Sequence, residues 1–178
     1  ELLSPAGSFD ALIAAVDAGA DAVYFGGSSM NARAFAKNFD AEEMERAILY
    51  CRTHGVRAYV TLNTALTTRE LPDALRYAAF LREAGVDAVI VSDAGLIHGL
   101  HRNLPDLPIH VSTQASIHST AGIDELVALG ASRVVLAREL SRESIRSAVE
   151  RSGAEIEVFV HGALCVCHSG QCLFSSLV

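Results

Sequence analysis

The fold is decided by a short pattern that is clearest in AGADAVYF at residues 18–25 and in AGVDAVIV at residues 84–91. In both copies an amphipathic stretch reaches a glycine, and a short apolar run begins three residues later. Glycine takes the left-handed backbone conformation that closes a helix, and the apolar run then continues as a strand. Looser copies begin at residues 54, 129 and 152. The chain is therefore predicted to repeat one helix-to-strand unit along its length.

Seven strands and six helices are predicted to alternate. The apolar runs are nearly continuous, which is typical of parallel strands covered on both faces. The predicted strands cover about residues 1–4, 21–26, 57–62, 87–92, 109–113, 133–137 and 156–161. The predicted helices cover about residues 8–18, 41–53, 70–84, 94–103, 119–129 and 141–151.

Several of these helices carry start signals. Asp40 with Glu43, and Thr67 with Glu70, have the spacing of capping boxes. Ser141 has the position of an N-cap residue. These signals support the predicted helix boundaries.

Strict alternation of strand and helix indicates a parallel sheet with right-handed crossovers. A doubly wound open sheet and a (β/α)8 barrel both fit that alternation. The first strand is followed by SPAGS at residues 4–8 rather than by a glycine-rich phosphate loop, which disfavours a dinucleotide-binding fold. We therefore expect one α/β domain over residues 1–178, a (β/α)8 TIM-barrel-like fold truncated to about seven β/α units. The C-terminal part of the full-length protein is then missing from this sequence.

A seven-stranded barrel is expected to stay open between its first and last strands. Barrels ordinarily remove their strand edges by closing. We expect another chain or a swapped element to cover the open edge, which allows a homo-oligomer through that edge.

The composition indicates a folded chain, with 51% hydrophobic and 20% charged residues. No apolar run reaches the ~18 residues that cross a bilayer, so no membrane partner is expected. The net charge of −7 argues against a stand-alone binder of nucleic-acid phosphates, since such proteins are usually basic. The sequence does not open with the basic and apolar regions of a secretory signal, and its cysteines are not spread as in a disulfide scaffold. We expect a cytoplasmic protein.

Polar residues stand where the predicted strands end. Barrels of this type place their reacting groups at the C-terminal ends of strands and in the loops that follow. The pocket candidates are Asn63, Asp93, Gln114, Arg138, Glu139 and His161. Asp93 is also suited to cap the next helix, and His118 is a further candidate near a strand end. His110 lies inside a strand and is predicted to be a core residue with its hydrogen bonds satisfied.

The C-terminal segment carries the most specific signal, HGALCVCHSGQCLFSS at residues 161–176. Cys165, Cys167 and Cys172 fall within eight residues, in a cysteine-rich loop over residues 162–178 that leaves the seventh predicted strand. Such loops suit zinc or an iron–sulfur cluster. Unpaired thiols in a packed loop are the alternative interpretation. Cys51 lies in a predicted helix and is expected to be a small buried hydrophobic residue.

This segment resembles the signature of the peptidase U32 family. The signature positions are matched by Glu157, Phe159, Gly162, Ala163, Leu164, Cys165, Gly170, Cys172 and Ser175. Phe174 stands where the family has an aliphatic residue. Further family landmarks are ELLSPAG at 1–7, GADAVY at 19–24, VTLNT at 60–64, STQ at 112–114 and LAREL at 136–140. The resemblance covers the whole chain.

The resemblance implies an enzyme. The family name denotes a collagenase-like protease, yet these residues supply no nucleophile and base that can be paired. Members of similar sequence are instead associated with hydroxylation of RNA bases or of a ubiquinone precursor. This chain looks most like the branch that hydroxylates cytidine in ribosomal RNA, for which prephenate is implicated. The transfer-RNA uridine branch and the oxygen-independent ubiquinone branch are similar, and a U32 peptidase is the alternative from another reaction class. RNA is therefore the expected partner.

Similar members carry a [4Fe–4S] cluster held by four cysteines. By this resemblance Cys165 and Cys172 occupy the first two ligand positions, and the other two lie downstream of Val178. Cys167 is an alternative ligand, because alternate residues of an extended segment point the same way. We expect the cluster in the full-length protein and none in residues 1–178. There the loop from about residue 163 is expected to be mobile or held by a neighbouring molecule, with Cys165 and Cys172 as free thiols or a disulfide.

Overall fold

The computed structural model describes residues 1–27, 30, 38–162 and 165–172, and strands and helices alternate there as predicted. The strands are β1 (Leu3–Pro5), β2 (Ala22–Gly26), β3 (Arg57–Leu62), β4 (Ala88–Val91), β5 (Ile109–Val111), β6 (Arg133–Val135) and β7 (Glu155–Glu157). The helices are α1 (Phe9–Asp17), α2 (Ala41–Thr53), α3 (Leu71–Ala84), α4 (Ala94–Asn103), α5 (Thr120–Ala128) and α6 (Arg142–Arg151). None of the helices in these ranges is long and apolar enough to cross a membrane.

The seven strands form one parallel sheet in which each strand pairs with the next along the chain, from β1 to β7. This sequential order is that of a (β/α) barrel, whereas a doubly wound sheet reverses its strand order at an inner strand. The barrel prediction is therefore confirmed. β1 and β7 are the outermost strands of the described sheet. The cover expected over this open edge stays a prediction.

The sheet is curled, because side chains from distant strands meet. The Glu1 carboxylate, just before β1, accepts a hydrogen bond of 2.5 Å from the Arg133 guanidinium on β6. Five strand-to-strand steps separate β1 from β6, which in a flat sheet is about 24 Å at ~4.8 Å per step. Two side chains do not span that distance, so the sheet must bend around the interior.

Successive residues of a strand alternate between the helix-covered face and the barrel interior. On β3, Val60 packs into the large apolar core between sheet and helices, whereas Tyr59 belongs to a small interior cluster with Ala22, Ala88 and Ile90. Most of the fully buried apolar side chains belong to the first of these layers. The barrel interior is consequently left with room for polar groups at both ends.

The predicted helix starts at Asp40, Asp93 and Ser141 are confirmed. Each side chain accepts a hydrogen bond from a backbone N–H in the first turn, which satisfies a donor that has no partner within the helix. Asp40 and Glu43 bond each other's backbone and form the predicted capping box. Gly85 ends α3 in the left-handed conformation, with φ +88°, as the helix-to-strand pattern predicts.

Two predictions were wrong in detail. Thr67 does not cap α3: its hydroxyl donates to the Glu70 carboxylate at 2.7 Å, and the helix begins one turn later at Leu71. The Glu70 N–H bonds the Thr67 carbonyl instead, so the hydroxyl is not needed as an acceptor. The seventh strand is also shorter than the predicted 156–161. Among the described residues β7 pairs with β6 alone, and the chain then leaves the sheet, with Val160 83% exposed.

Candidate active-site rim

A cleft of about 530 Å³ lies at the C-terminal ends of β3, β4 and β5. Its walls are the loops that follow these strands, together with one cysteine of the C-terminal segment. The lining residues are Asn63, Thr64, Ala65, Ser92, Asp93, Ala94, Gln114 and Cys172. Barrels place their reacting groups at this end. The cleft thus brings together the predicted pocket residues Asn63, Asp93 and Gln114 with one predicted metal ligand.

Asp93 holds the wall of the cleft through backbone contacts. One carboxylate oxygen accepts from the Leu96 N–H at 2.9 Å and so caps α4. The other accepts from the Leu66 N–H at 3.3 Å, in the loop after β3. Because both oxygens bond backbone groups, Asp93 joins the β3 and β4 loops and fixes the shape of the cleft.

Asn63 and Gln114 are positioned by the same buried hydroxyl. The Asn63 amide nitrogen donates to Ser112 Oγ at 3.3 Å, and the Gln114 backbone N–H donates to the same oxygen at 3.2 Å. Ser112 is buried at the end of β5 and precedes a short 3-10 turn over Thr113–Ala115. Ser112 therefore holds the Asn63 carboxamide, after β3, and the Gln114 backbone, after β5, at the cleft.

Arg138 contacts the cysteine-bearing segment. Its guanidinium donates to the backbone carbonyls of Cys167 at 2.9 Å and Cys165 at 3.4 Å. Its backbone N–H donates to Ser169 Oγ at 3.2 Å. The segment is thus tied to the loop after β6 at three points.

Glu139 contacts the same segment from the adjacent position. One of its carboxylate oxygens accepts from the Ser169 N–H at 2.8 Å and from the Ser169 hydroxyl at 3.2 Å. The other lies 3.4 Å from His118 Nε2. The hydrogen bond from the Ser169 backbone is the main cause that lowers the pKa of the Glu139 carboxyl, so this group is charged near neutral pH.

The segment also packs closely on the turn after β5. The Ser116 hydroxyl donates to the Ser169 carbonyl at 2.5 Å, and Ser169 is only 4% exposed. Gly170 has φ +74°, and a Cβ at this position would lie 2.3 Å from the Gln114 carbonyl oxygen. Glycine is therefore required here both by the backbone conformation and by the contact. Residues 165–172 therefore contact the turn after β5 and the loop after β6, while the expectation that the loop from about residue 163 is mobile or held by a neighbouring molecule stays a prediction.

Three thiols gather at the mouth of the cleft. Cys165 and Cys172 are exposed, Cys167 is half-buried, and none of the three forms a disulfide in the described part of the chain. The Cys167 thiol interacts with the thiols of Cys172 and Cys165, and its hydrogen bond with Cys172 is the main cause that raises its pKa. Cys51 is separate, because it is buried in α2, and burial raises its pKa to about 11.

The donor set fits an iron–sulfur cluster in kind, since such clusters are held by cysteine thiolates. Among the described residues, however, no group of three or more His, Cys, Asp or Glu side chains has the arrangement of a metal site. A [4Fe–4S] cluster usually takes four thiolates, so at least one ligand would come from outside the Cys165, Cys167 and Cys172 set. Signature positions 163–164 and 174–175 lie outside the described residues.

His161 lies on the exposed chain after β7 and does not line the cleft. The sequence interpretation missed Ser112, Ser116 and Ser169, which position the cleft and the cysteine segment through their hydroxyls. Serine alone is a weak signal. The Ser169-Gly170 pair, a common turn dipeptide, was the available indication of a turn at the contact point.

The comparison with known families decides the family. The profile of peptidase family U32 matches residues 7–178. The chain belongs to peptidase family U32. It is 42% identical over 177 residues to the 23S rRNA 5-hydroxycytidine C2501 synthase of Escherichia coli (strain K12), which covers 98% of this chain and 26% of that protein.

Two further relatives show how family names vary. The tRNA hydroxylation protein P1 of Bacillus subtilis (strain 168) is 38% identical over 176 residues, 99% of this chain and 42% of its own length. A protein named collagenase from Porphyromonas gingivalis (strain ATCC BAA-308 / W83) is 34% identical over 187 residues, 98% of this chain and 44% of its own length. The chain thus spans less than half the length of these relatives.

A solved structure supports the fold. The U32 peptidase Mk0906 superposes with a TM-score of 0.74 over 89% of this chain and 67% of that chain, at 19% identity. Identity at this level bears on the fold alone.

Proposed function

We propose that this chain is the barrel part of an iron–sulfur-dependent RNA base hydroxylase that acts on ribosomal-RNA cytidine or transfer-RNA uridine in the cytoplasm. The observation that carries the proposal is the position of Cys172, which lines the cleft while its thiol contacts Cys167. A redox group held by these thiols would adjoin whatever the cleft binds. Hydroxylation proteins of both RNA classes match the chain over nearly its whole length.

The cleft suits a flipped-out nucleobase. Its volume falls within the range of small-molecule sites, about 300–1,000 Å³. Carboxamides and hydroxyls line it at Asn63, Thr64, Ser92 and Gln114, and Asp93 is occupied with backbone groups. Enzymes that modify bases read the extruded base through hydrogen bonds to its polar edge, and neutral donors and acceptors of this kind match a pyrimidine edge.

A [4Fe–4S] cluster held by Cys165, Cys172 and ligands elsewhere in the protein, with Cys167 as the alternative, would supply electron transfer. Replacing a base C–H by C–OH is a two-electron oxidation. Two electrons must therefore pass to an acceptor and the oxygen atom must come from a donor, and the family resemblance implicates prephenate in this reaction. The residues of this chain bind and orient the base and hold the cysteine segment beside it.

A peptidase is the second candidate, because relatives bear protease names. The contacts at the rim do not favour it. Glu139 lies between Ser169 and His118, since it bonds the Ser169 hydroxyl and pairs with His118. A serine hydrolase instead places the histidine between serine and carboxylate. Ser169 is also only 4% exposed, so its hydroxyl is not accessible to a substrate.

Nucleoside analysis of ribosomal and transfer RNA from a deletion strain tests the proposal. We expect one hydroxylated pyrimidine to disappear, to return with the full-length wild-type gene or the Cys51→Ala variant, and to stay absent with Cys172→Ala. Unchanged nucleosides would contradict the proposal. Altered quinone levels in that strain would then favour the ubiquinone-precursor hydroxylase, and gelatin cleavage by the purified protein would favour the peptidase.

A further inference from the structure

Two neighbouring charged residues bind the cysteine segment and have no comparable role in the fold core. Arg138 and Glu139 follow β6, and five of their hydrogen bonds end on residues 165–169. The helix that follows is capped by Ser141 and does not depend on them. Their side chains are about one-quarter exposed, at 26% each. The contacts therefore serve the segment more than the core.

We infer that Arg138 and Glu139 are positioning residues that preorganise Cys165, Cys167 and Cys172 as cluster ligands. The inference rests on the proposed function for the identity of the bound group. Groups that orient metal ligands are worth about 10–100-fold in metal affinity.

Arg138 acts on the main chain of two cysteines at once. The planar guanidinium has donors in a fixed fork, and here two of its nitrogens reach the carbonyls of Cys165 and Cys167. This fixes the relative position of two ligand residues before any iron arrives. Lysine carries the same charge on a single nitrogen, so it would reach one carbonyl and lose the fork.

Glu139 acts through Ser169, which lies between Cys167 and Cys172 in the chain. Its carboxylate oxygen bonds both the N–H and the hydroxyl of Ser169, while Ser116 holds the Ser169 carbonyl from the other side. The turn between the second and third cysteines is therefore clamped at a buried point. A glutamine at position 139 keeps an oxygen acceptor for these bonds, whereas alanine removes it.

The test uses the full-length protein, reconstituted anaerobically with iron and sulfide. Iron affinity is measured by competition with a chelator for wild type, Arg138→Ala, Arg138→Lys, Glu139→Ala and Glu139→Gln. Arg142→Ala is the matched control, since Arg142 is an exposed arginine at the start of α6. Hydrogen exchange of residues 165–172 in the iron-free protein reports directly on the contacts that Arg138 and Glu139 make with this segment. Exchange in β5 and β6 reports whether each variant is folded.

We expect about 10–100-fold weaker iron binding for both alanine variants, intermediate loss for Arg138→Lys, and near wild-type binding for Glu139→Gln and Arg142→Ala. Exchange at Ser169 should accelerate in the alanine variants while β5 and β6 stay protected. Wild-type iron affinity in folded Arg138→Ala and Glu139→Ala would overturn the inference, as would a wild-type protein that binds no iron. An iron-binding protein that shows this dependence but leaves RNA unmodified would overturn the proposed function and leave the positioning role standing.

Discussion

The two ends of this barrel use polar residues in opposite ways. Near the starts of β1, β6 and β7, a basal layer made of Glu1, Tyr59, His110, Arg133, Glu155 and Glu157 bonds largely within itself. At the C-terminal ends, the rim residues bond backbone groups, and exposed thiols are left beside a cleft. In such folds residues at the N-terminal face generally serve stability, and residues at the C-terminal face serve chemistry. Here the contacts themselves separate the two roles.

Arg133 is the centre of the basal layer. Its side chain is 9% exposed and pairs with Glu1 at 2.5 Å, Glu155 at 2.6 Å and Glu157 at 3.4 Å. Burial raises the pKa of Glu1, but hydrogen bonds from Arg133 and Tyr59 more than offset this and hold it below its ordinary value. Glu157 is the exception, because burial raises its pKa above the ordinary value. These groups hold three strands and the N-terminus together across the interior.

The role of a charged residue in this barrel therefore depends on the groups that it bonds. A buried charge whose partners are other side chains stabilises the fold only while every partner is present. A charge that bonds the backbone of a loop shapes that loop. Changes at the basal layer should therefore alter stability, and changes at the rim should alter binding.

The largest expected effect is that of Arg133→Met. The change removes the cation that pairs with Glu157 and leaves Glu1 with Arg57 alone, so we expect a loss of about 3–5 kcal/mol in the free energy of unfolding. Urea unfolding of the full-length protein measures it, with hydrogen exchange in β5 and β6 assigning the loss to the barrel. Arg142→Ala, the exposed control, should change it by less than about 0.5 kcal/mol. A loss below about 1 kcal/mol for Arg133→Met would show that the basal layer does not stabilise the fold.

The next largest effect that we expect is a loss of stability in acid, caused by the burial of His110. It is 5% exposed, and its Nδ1 has no hydrogen-bond partner among the described residues, contrary to the expected satisfied core residue. Burial, and then the Arg133 charge, lowers its pKa from 6.5 to about 4.

The unfolded chain therefore takes up a proton at His110 between pH 6.5 and 4 while the folded chain does not. Stability is full above pH 6.5 and falls toward pH 4, by about 3 kcal/mol at most. The raised pKa of Glu157 acts in the opposite direction, stabilising the fold at low pH. Unfolding titrations of wild type and His110→Gln at several pH values isolate the histidine. If the free energy of unfolding falls equally in both proteins between pH 6.5 and 4, His110 is not the group responsible for the loss of stability.

Asp93→Ala should have a smaller effect that is confined to the rim. Losing an N-cap costs about 1 kcal/mol, and the Leu66 N–H also loses its acceptor. We expect faster hydrogen exchange at Leu66 and Leu96, with no change in the basal layer. Asn103→Ala, at the other end of α4, is the matched control. Unchanged exchange at Leu66 would show that Asp93 does not join the two loops.

The barrel was predictable because the sequence signals for its helices and strands involve residues that are close together in the chain. Glycine-terminated helices such as the one ending at Gly85 and caps such as Asp93 need only neighbouring residues to be recognised. The basal layer and the contact of Glu139 with the cysteine segment were not predicted, because their partners are distant in the sequence. Glu1 bonds Arg133 from 132 positions away, and Glu139 bonds Ser169 from 30 positions away. A signal did exist for the layer: charged residues start β3, β6 and β7, and parallel pairing sets Arg133 beside Glu155. Arg138 and Glu139 were expected at a pocket, and the structure places them on the cysteine segment.

The smallest effect on stability should come from the rim cysteines. Cys165 and Cys172 are exposed, so alanine at either position should change the free energy of unfolding by less than about 0.5 kcal/mol. Cys51→Ala changes a buried residue and should cost more stability. Urea unfolding of the iron-free proteins checks this order. A larger loss for Cys172→Ala than for Cys51→Ala would reverse it.

One paired measurement separates the cysteine rim, which we propose holds the redox group, from the basal layer, which holds the fold. Iron content and the absorbance near ~400 nm are recorded for anaerobically purified full-length Cys172→Ala and Arg133→Met, alongside unfolding of each protein. We expect that Cys172→Ala loses its iron and keeps its stability, whereas Arg133→Met loses stability and keeps iron in the folded fraction. Iron retained by Cys172→Ala at the wild-type level would contradict this expectation.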